Sequence, residues 1–193
     1  MFVVIVIALV MSLFTFTGKP SLGRRLTVGG QMMAEKLRET RQVAAMRRCS
    51  ARLLIHTDDR QPEYRLRGLA IVVEHEPGDG KWELVGEASL LPENVYWVPA
   101  EGNALGWTGP ISEGGTLATL PFVLRPWIDN ATCWFYEFKP TGRITNGRYD
   151  ACLGTGFIAN DGGVVFQNPQ NSRALRVNAY GLVSEIATSA LPP

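Results

Sequence analysis

From Phe2 to Phe16 the chain reads FVVIVIALVMSLFTF, an apolar run broken only by Ser12 and Thr15. It is apolar on every side, as a membrane-inserted helix is and a helix on a water-exposed surface is not. It falls a few residues short of the roughly 20 that a bilayer crossing needs. No Lys or Arg precedes it and Thr15-Phe16-Thr17 is a poor small-x-small site, so it does not read as a cleaved secretory signal. Gly18-Lys19-Pro20-Ser21 then interrupts the pattern with helix breakers. Helical spacing resumes from Leu26 to Arg48. Leu26, Met33, Leu37, Thr40 and Ala44 fall on one face, and Lys36, Arg38, Glu39, Arg41 and Arg47 occupy the rest.

Beyond the helix, β-branched and aromatic runs alternate with turn signals. Strands are predicted over Ala51–His56, Tyr64–Glu74, Lys81–Val85, Thr132–Phe138, Gly163–Gln167, Arg173–Asn178 and Leu182–Ala187, with a short extended piece at Leu91–Trp97. Pro77-Gly78-Asp79-Gly80 reads as a hairpin turn and Gly154-Thr155-Gly156 as another turn. Ala100–Asn130 is Gly/Pro-rich and irregular, and reads as a surface excursion. One helix followed only by strands predicts an α+β fold, a long N-terminal helix packed on an antiparallel β-sheet domain. The expected organisation is an apolar membrane helix over 1–18, its amphipathic continuation over 19–50 and a β-rich domain over 51–193.

At 193 residues there is chain enough for one domain with a real core, and 20 Gly with 12 Pro suit a turn-rich sheet body. The net charge of +1 hides an ordered layout. Residues 1–18 are uncharged, Lys19 to Arg60 hold ten Lys and Arg against four Asp and Glu, and the remainder holds nine against fourteen. The basic block suits phospholipid headgroups, a filament neighbour, nucleic acid or simply a solvated helix face.

Candidate chemistry is sparse. His56 and His75 lack paired metal-ligand spacing. There is no G-x-S-x-G elbow, and Gly154-Thr155-Gly156 lacks the third glycine of a dinucleotide loop. Asp58-Asp59 and Asn160-Asp161-Gly162-Gly163 are acidic turn clusters, read as ordinary turns in preference to a calcium site. No catalytic residue, cofactor site or metal site is therefore assigned. Five tryptophans, Trp82, Trp97, Trp107, Trp127 and Trp134, are many for this length. They serve either core filling or stacking on glycans or single-stranded DNA from the long central loop. Three cysteines allow three pairings. Outside the cytoplasm Cys133 and Cys152 are a possible disulfide pair, with Cys49 as a small buried residue, and sequence alone does not choose among the three.

Several segments carry a family resemblance. Val3-Val4-Ile5-Val6-Ile7-Ala8-Leu9-Val10-Met11-Ser12-Leu13 resembles the interior of the N-terminal segment of type IV pilins and type II secretion pseudopilins. The glycine and glutamate that precede this segment in the family are missing, so the reading frame is expected to extend upstream of Met1. Thr40–Arg48 (TRQVAAMRR) is similar to the ARxxAxxR helix end of the H-type minor pseudopilins and FimT-like minor pilins. Leu91-Pro92-Glu93-Asn94-Val95, Phe138-Lys139-Pro140-Thr141-Gly142-Arg143 and Leu175–Val183 (LRVNAYGLV) match that branch's LP-x-x-V element, its F-x-P-x-G-R turn and its final Gly-joined strands, in order. Gly142 is expected at positive φ in a tight turn.

The resemblance implies a non-enzymatic filament subunit. Val3, Val4, Ile5, Val6, Ile7, Leu9, Val10 and Leu13 would form its assembly helix. Its partners would be other pilins or pseudopilins, the inner-membrane assembly platform and membrane lipid. Its place would be the inner membrane, single-pass, with the globular domain in the periplasm or on a surface filament. The basic residues just after the apolar run favour the opposite orientation by the positive-inside rule, a balance that a basic upstream leader would reverse. Some FimT-like relatives bind DNA through basic residues near the C-terminus. Ala187–Pro193 has none, so nucleic acid is the disfavoured partner; a membrane-anchored protein contacting glycan or DNA is the alternative.

Overall fold

A computed structural model describes residues 21–99, 111–145 and 147–186. The apolar run at 2–16 and the break at 18–20 lie outside them. Helix α1 spans Leu22–Arg47. Ser21 caps its start, its hydroxyl accepting from the Arg24 N–H at 3.4 Å, and Arg48 ends it in the left-handed region at φ 55°. Its buried face is Leu26, Gly29, Gly30, Met33, Ala34, Leu37, Thr40 and Ala44, which includes all five positions expected from the periodicity. Thr40 is fully buried, and its hydroxyl donates to the Lys36 carbonyl at 2.6 Å.

Ten strands follow: β1 Ala51–His56, β2 Gly68–Glu74, β3 Trp82–Leu90, β4 Val95–Trp97, β5 Thr116–Thr119, β6 Thr132–Phe138, β7 Arg148–Ile158, β8 Val164–Phe166, β9 Ser172–Asn178 and β10 Val183–Ile186. They form two antiparallel sheets where the sequence pattern suggested one. Sheet A runs β3-β2-β1-β6-β5 and sheet B runs β10-β9-β7-β4, with β8 pairing the far end of β7. The chain leaves sheet A for β4, returns for β5 and β6, and finishes in sheet B.

Alternation along each strand divides the core into three. The inner faces meet α1 in the main core, built from Leu53, Ile55, Ile71, Tyr136 and Phe138 of sheet A and Trp97, Tyr149, Leu153 and Val177 of sheet B, with Met33 and Leu37 of the helix. On the outer face of sheet A, Leu54, Ala70, Val72 and Cys133 gather under Leu120, Leu124 and Trp127. On the outer face of sheet B, Cys152 and Ala174 pack with Val98.

Three sequence readings change here. Gly154-Thr155-Gly156 is not a turn but the middle of β7, the longest strand. Gly156 is needed there because a Cβ would stand 2.7 Å from the Val165 carbonyl. Residues 64–67 are a turn, not the start of β2: the Arg65 and Gly68 N–H groups donate back to Gln61 and Tyr64, and Leu66 sits at φ 56°. The described part of the 100–130 excursion is a strap. Residues 111–115 lie on sheet B, with the Ser112 N–H on the Val98 carbonyl and Glu113 bridged to Asp150. Residues 116–119 then add β5 to sheet A, and 120–131 cover its outer face, burying Leu120, Leu124 and Trp127.

Candidate functional site

The helix is the element with a free side. Opposite its buried face, Arg24, Val28, Gln31, Glu35, Arg38 and Gln42 form an exposed stripe at alternating steps of four and three, and Val28 is 47% exposed. The stripe begins one turn after the Ser21 cap. The buried side grips both sheets. Two adjacent glycines in a helix interior each cost about 1 kcal/mol relative to alanine, and close approach explains them. A Cβ at Gly29 would stand 2.9 Å from Val95 of β4, and one at Gly30 3.1 Å from the Arg173 side chain of β9. Arg173 crosses the helix there, donating to the Thr27 hydroxyl and pairing with Glu185.

The helix end, the Phe138–Arg143 turn and the Leu175–Val183 segment meet at one point. Gly142 takes φ 72° in a turn closed by its N–H on the Lys139 carbonyl at 2.7 Å, as expected. Gly181 takes φ 74° in the β9–β10 turn. A Cβ on Gly181 would collide with the Gly142 carbonyl and come within 2.8 Å of the Arg41 side chain; one on Gly142 would come within 3.3 Å of the same side chain. Arg41 thus threads between two glycine turns, with its Nε buried and unpartnered. Beside it the Arg143 guanidinium lies 5.1 Å from the Tyr180 ring. The order of the motifs was visible in the sequence; their meeting was not.

Five of the nine described residues in the basic block are tied into ion pairs: Arg25 to Glu93, Lys36 to Glu39, Arg47 to Glu83, Arg52 to Glu137 and Arg60 to Asp58. Both acidic clusters are turn staples. Asp58 accepts from Arg60 through main chain and side chain and from the Thr132 N–H at 3.1 Å, and the Arg60 contacts hold its carboxyl far below the usual range. Asp161 accepts from the Gly163 N–H at 2.8 Å. Among the described residues no group of three or more His, Cys, Asp or Glu is disposed to hold a metal ion.

The possible bridge between Cys133 and Cys152 is not made: all three cysteines are free and buried. Cys133 is on the outer face of sheet A and Cys152 on the outer face of sheet B, so the main core stands between them. The Cys152 thiol donates instead to the Ile111 carbonyl at 2.9 Å. The four described tryptophans are turned inward or half-covered. Trp97 and Trp127 are fully buried, Trp134 nearly so, and Trp82 lies under the Arg52 guanidinium at 4.0 Å. Trp107 lies outside the described residues.

The sequence did not single out Asp150. Its carboxylate is fully buried on sheet B, met by Arg176 at 2.8 Å and Arg148 at 3.1 Å, while its carbonyl accepts from the Tyr136 hydroxyl at 2.9 Å. The signal was an acidic residue at an outward position of β7, a strand the pattern did not reveal.

No family model and no curated protein matches the sequence. Solved structures do. The type IV minor pilin FimU of Pseudomonas aeruginosa aligns with a TM-score of 0.50 at 10% identity, over 88% of this chain and 93% of its own. The minor pseudopilin EpsH of the type II secretion system of Vibrio cholerae aligns with a TM-score of 0.51 at 12% identity, over 87% of this chain and 97% of its own. The likeness is one of fold: one helix packed on antiparallel sheets, as in these two proteins.

Proposed function

We propose that this chain is a structural subunit, a minor pilin or pseudopilin, of a type IV pilus or type II secretion pseudopilus. Residues 2–16 anchor it in the inner membrane, and the sheet domain stands in the periplasm or on a surface filament. It assembles with other pilin-like subunits through an inner-membrane platform. Among the described residues no helix is long and apolar enough to cross a membrane, and the run at 2–16 lies outside them. The observation that carries the reading is the two-sided helix: one face grips both sheets, and the other presents an exposed stripe from Arg24 to Gln42. Its acidic turns are engaged in staples, its described tryptophans in packing, and its cysteines are sealed, which supports assembly over catalysis or ligand stacking.

Because the native cysteines are buried, Val28→Cys places one accessible thiol on the stripe. In the native host, thiol crosslinking of this variant should give membrane-bound adducts whose second component mass spectrometry identifies as pilin-like. A protein that stays monomeric and partitions to the soluble fraction after lysis would overturn the assignment.

A further inference from the structure

His56 sits at the end of β1 on the outer face of sheet A, with no exposed surface. A neutral imidazole has one ring N–H to donate and one bare nitrogen to receive. Here neither Nδ1 nor Nε2 has a hydrogen-bond partner. The Gln61 amide beside it is shared with the strap: its carbonyl oxygen accepts from the Ile128 N–H at 2.8 Å and its nitrogen reaches the Pro126 carbonyl at 3.4 Å. The ring packs edge-on against Trp127 at 5.0 Å between centroids and lies 6.0 Å from Tyr64. Gly68 floors the pocket, where a Cβ would stand 3.0 Å from His56 and 3.2 Å from the Trp127 ring. Cys133 is its direct cross-strand partner on β6. The Trp127 indole N–H is also buried without an acceptor.

A ring so placed packs as an aromatic hydrocarbon while neutral. Once protonated it is a cation with two N–H donors enclosed among aromatic rings, a costly state in a closed pocket. We propose that His56 is an acid-released latch for residues 120–131: taking up a proton expels the ring from beneath Trp127 and lifts this strap off sheet A. Release would uncover Leu54, Ala70 and Val72, now covered by Leu120, Leu124 and Trp127.

The charged surroundings do not rescue the cation. Asp58 and Glu63 attract it and the Gln61 side chain favours the protonated ring, but Arg60 repels it, the Asp58 carboxylate is held by Arg60 and the Thr132 N–H, and burial outweighs them all. The strap's own charges, Arg125 and Asp129, are exposed. Across the strand pair, the Cys133 thiol is pushed upward by burial and stays neutral. Burial is the largest influence on His56 and moves it below its ordinary 6.5. With the folded value depressed, the opened strap binds the proton more tightly than the closed one. Closure is therefore complete above about pH 6.5 and is lost as pH falls below it.

Amide exchange on the full chain in detergent tests this, read at 120–132 and corrected for intrinsic rates. The opening constant there should rise by up to about tenfold per pH unit below 6.5, the limit for one proton, while amides of β7 and β9 change less. In His56→Phe, which keeps a ring and removes both nitrogens, the strap should stay protected at neutral pH and lose its acid dependence. If His56→Phe keeps the wild-type acid dependence, the latch is refuted. The wild type supplies an independent arm should the variant misfold. A His56 ring followed by NMR that takes up its proton at or above pH 6.5, or below it with no change in strap exchange, overturns the proposal equally.

Discussion

Tyr136 shows what a buried polar group needs in this core. Its hydroxyl donates to the Asp150 carbonyl and accepts from the Trp97 indole N–H at 3.2 Å, so it ties sheet A to sheet B while fully enclosed. Burial pushes its own ionisation well above the ordinary range. The cysteines follow the same logic without the tie. Cys133 and Cys152 are buried on the outer faces of different sheets, and desolvation raises both thiols far above their usual value. A thiol reagent at neutral pH should therefore label neither in the native chain. In denaturant without reductant it should count three thiols per chain; a count of one would show that a bridge had formed after all.

Among the elements, β1 and β6 were legible to the residue, because each alternates between two faces within a short run bounded by turn residues. Helix α1 was legible from its five inward positions, although its start lies four residues earlier than the periodicity marks, after the Ser21 cap. β7 was hidden because both its faces are covered: Tyr149 to Gly156 are all buried, and no polar alternation survives to mark a strand. β5 and the strap owe their structure to partners distant in sequence, which no local pattern encodes. The four family-like motifs were readable as an ordered series, but the junction of Arg41, Gly142 and Gly181 that two turns and the helix end share was not. That junction predicts a sharp response to Gly181→Ala. A left-handed φ for a residue with a Cβ costs roughly 1–3 kcal/mol, and the collision with the Gly142 carbonyl adds to it. Urea unfolding should show a loss at the upper end of that range or beyond, whereas Gly78→Ala, also at positive φ but facing open space, should stay near its lower end.

For the whole molecule, the path of the chain matters more than any single contact. Neither sheet is built from one continuous stretch: β1–β3 precede the visit to sheet B, and β5 and β6 return after it. Residues before Ala100 supply three strands of sheet A, one of sheet B and all of α1, and residues after Pro110 supply the remaining two of sheet A, three of sheet B and β8. A single backbone cut between 99 and 111 would thus yield two pieces that are complementary in both layers. They should co-elute under native conditions, separate only at the urea concentration that unfolds the domain, and regain near-native circular dichroism when mixed after separate purification. Pieces that drift apart without denaturant would show that the interleaving is dispensable. The brief exchange of β4 for β5 acts as a clasp, making this domain hard to dismantle one layer at a time.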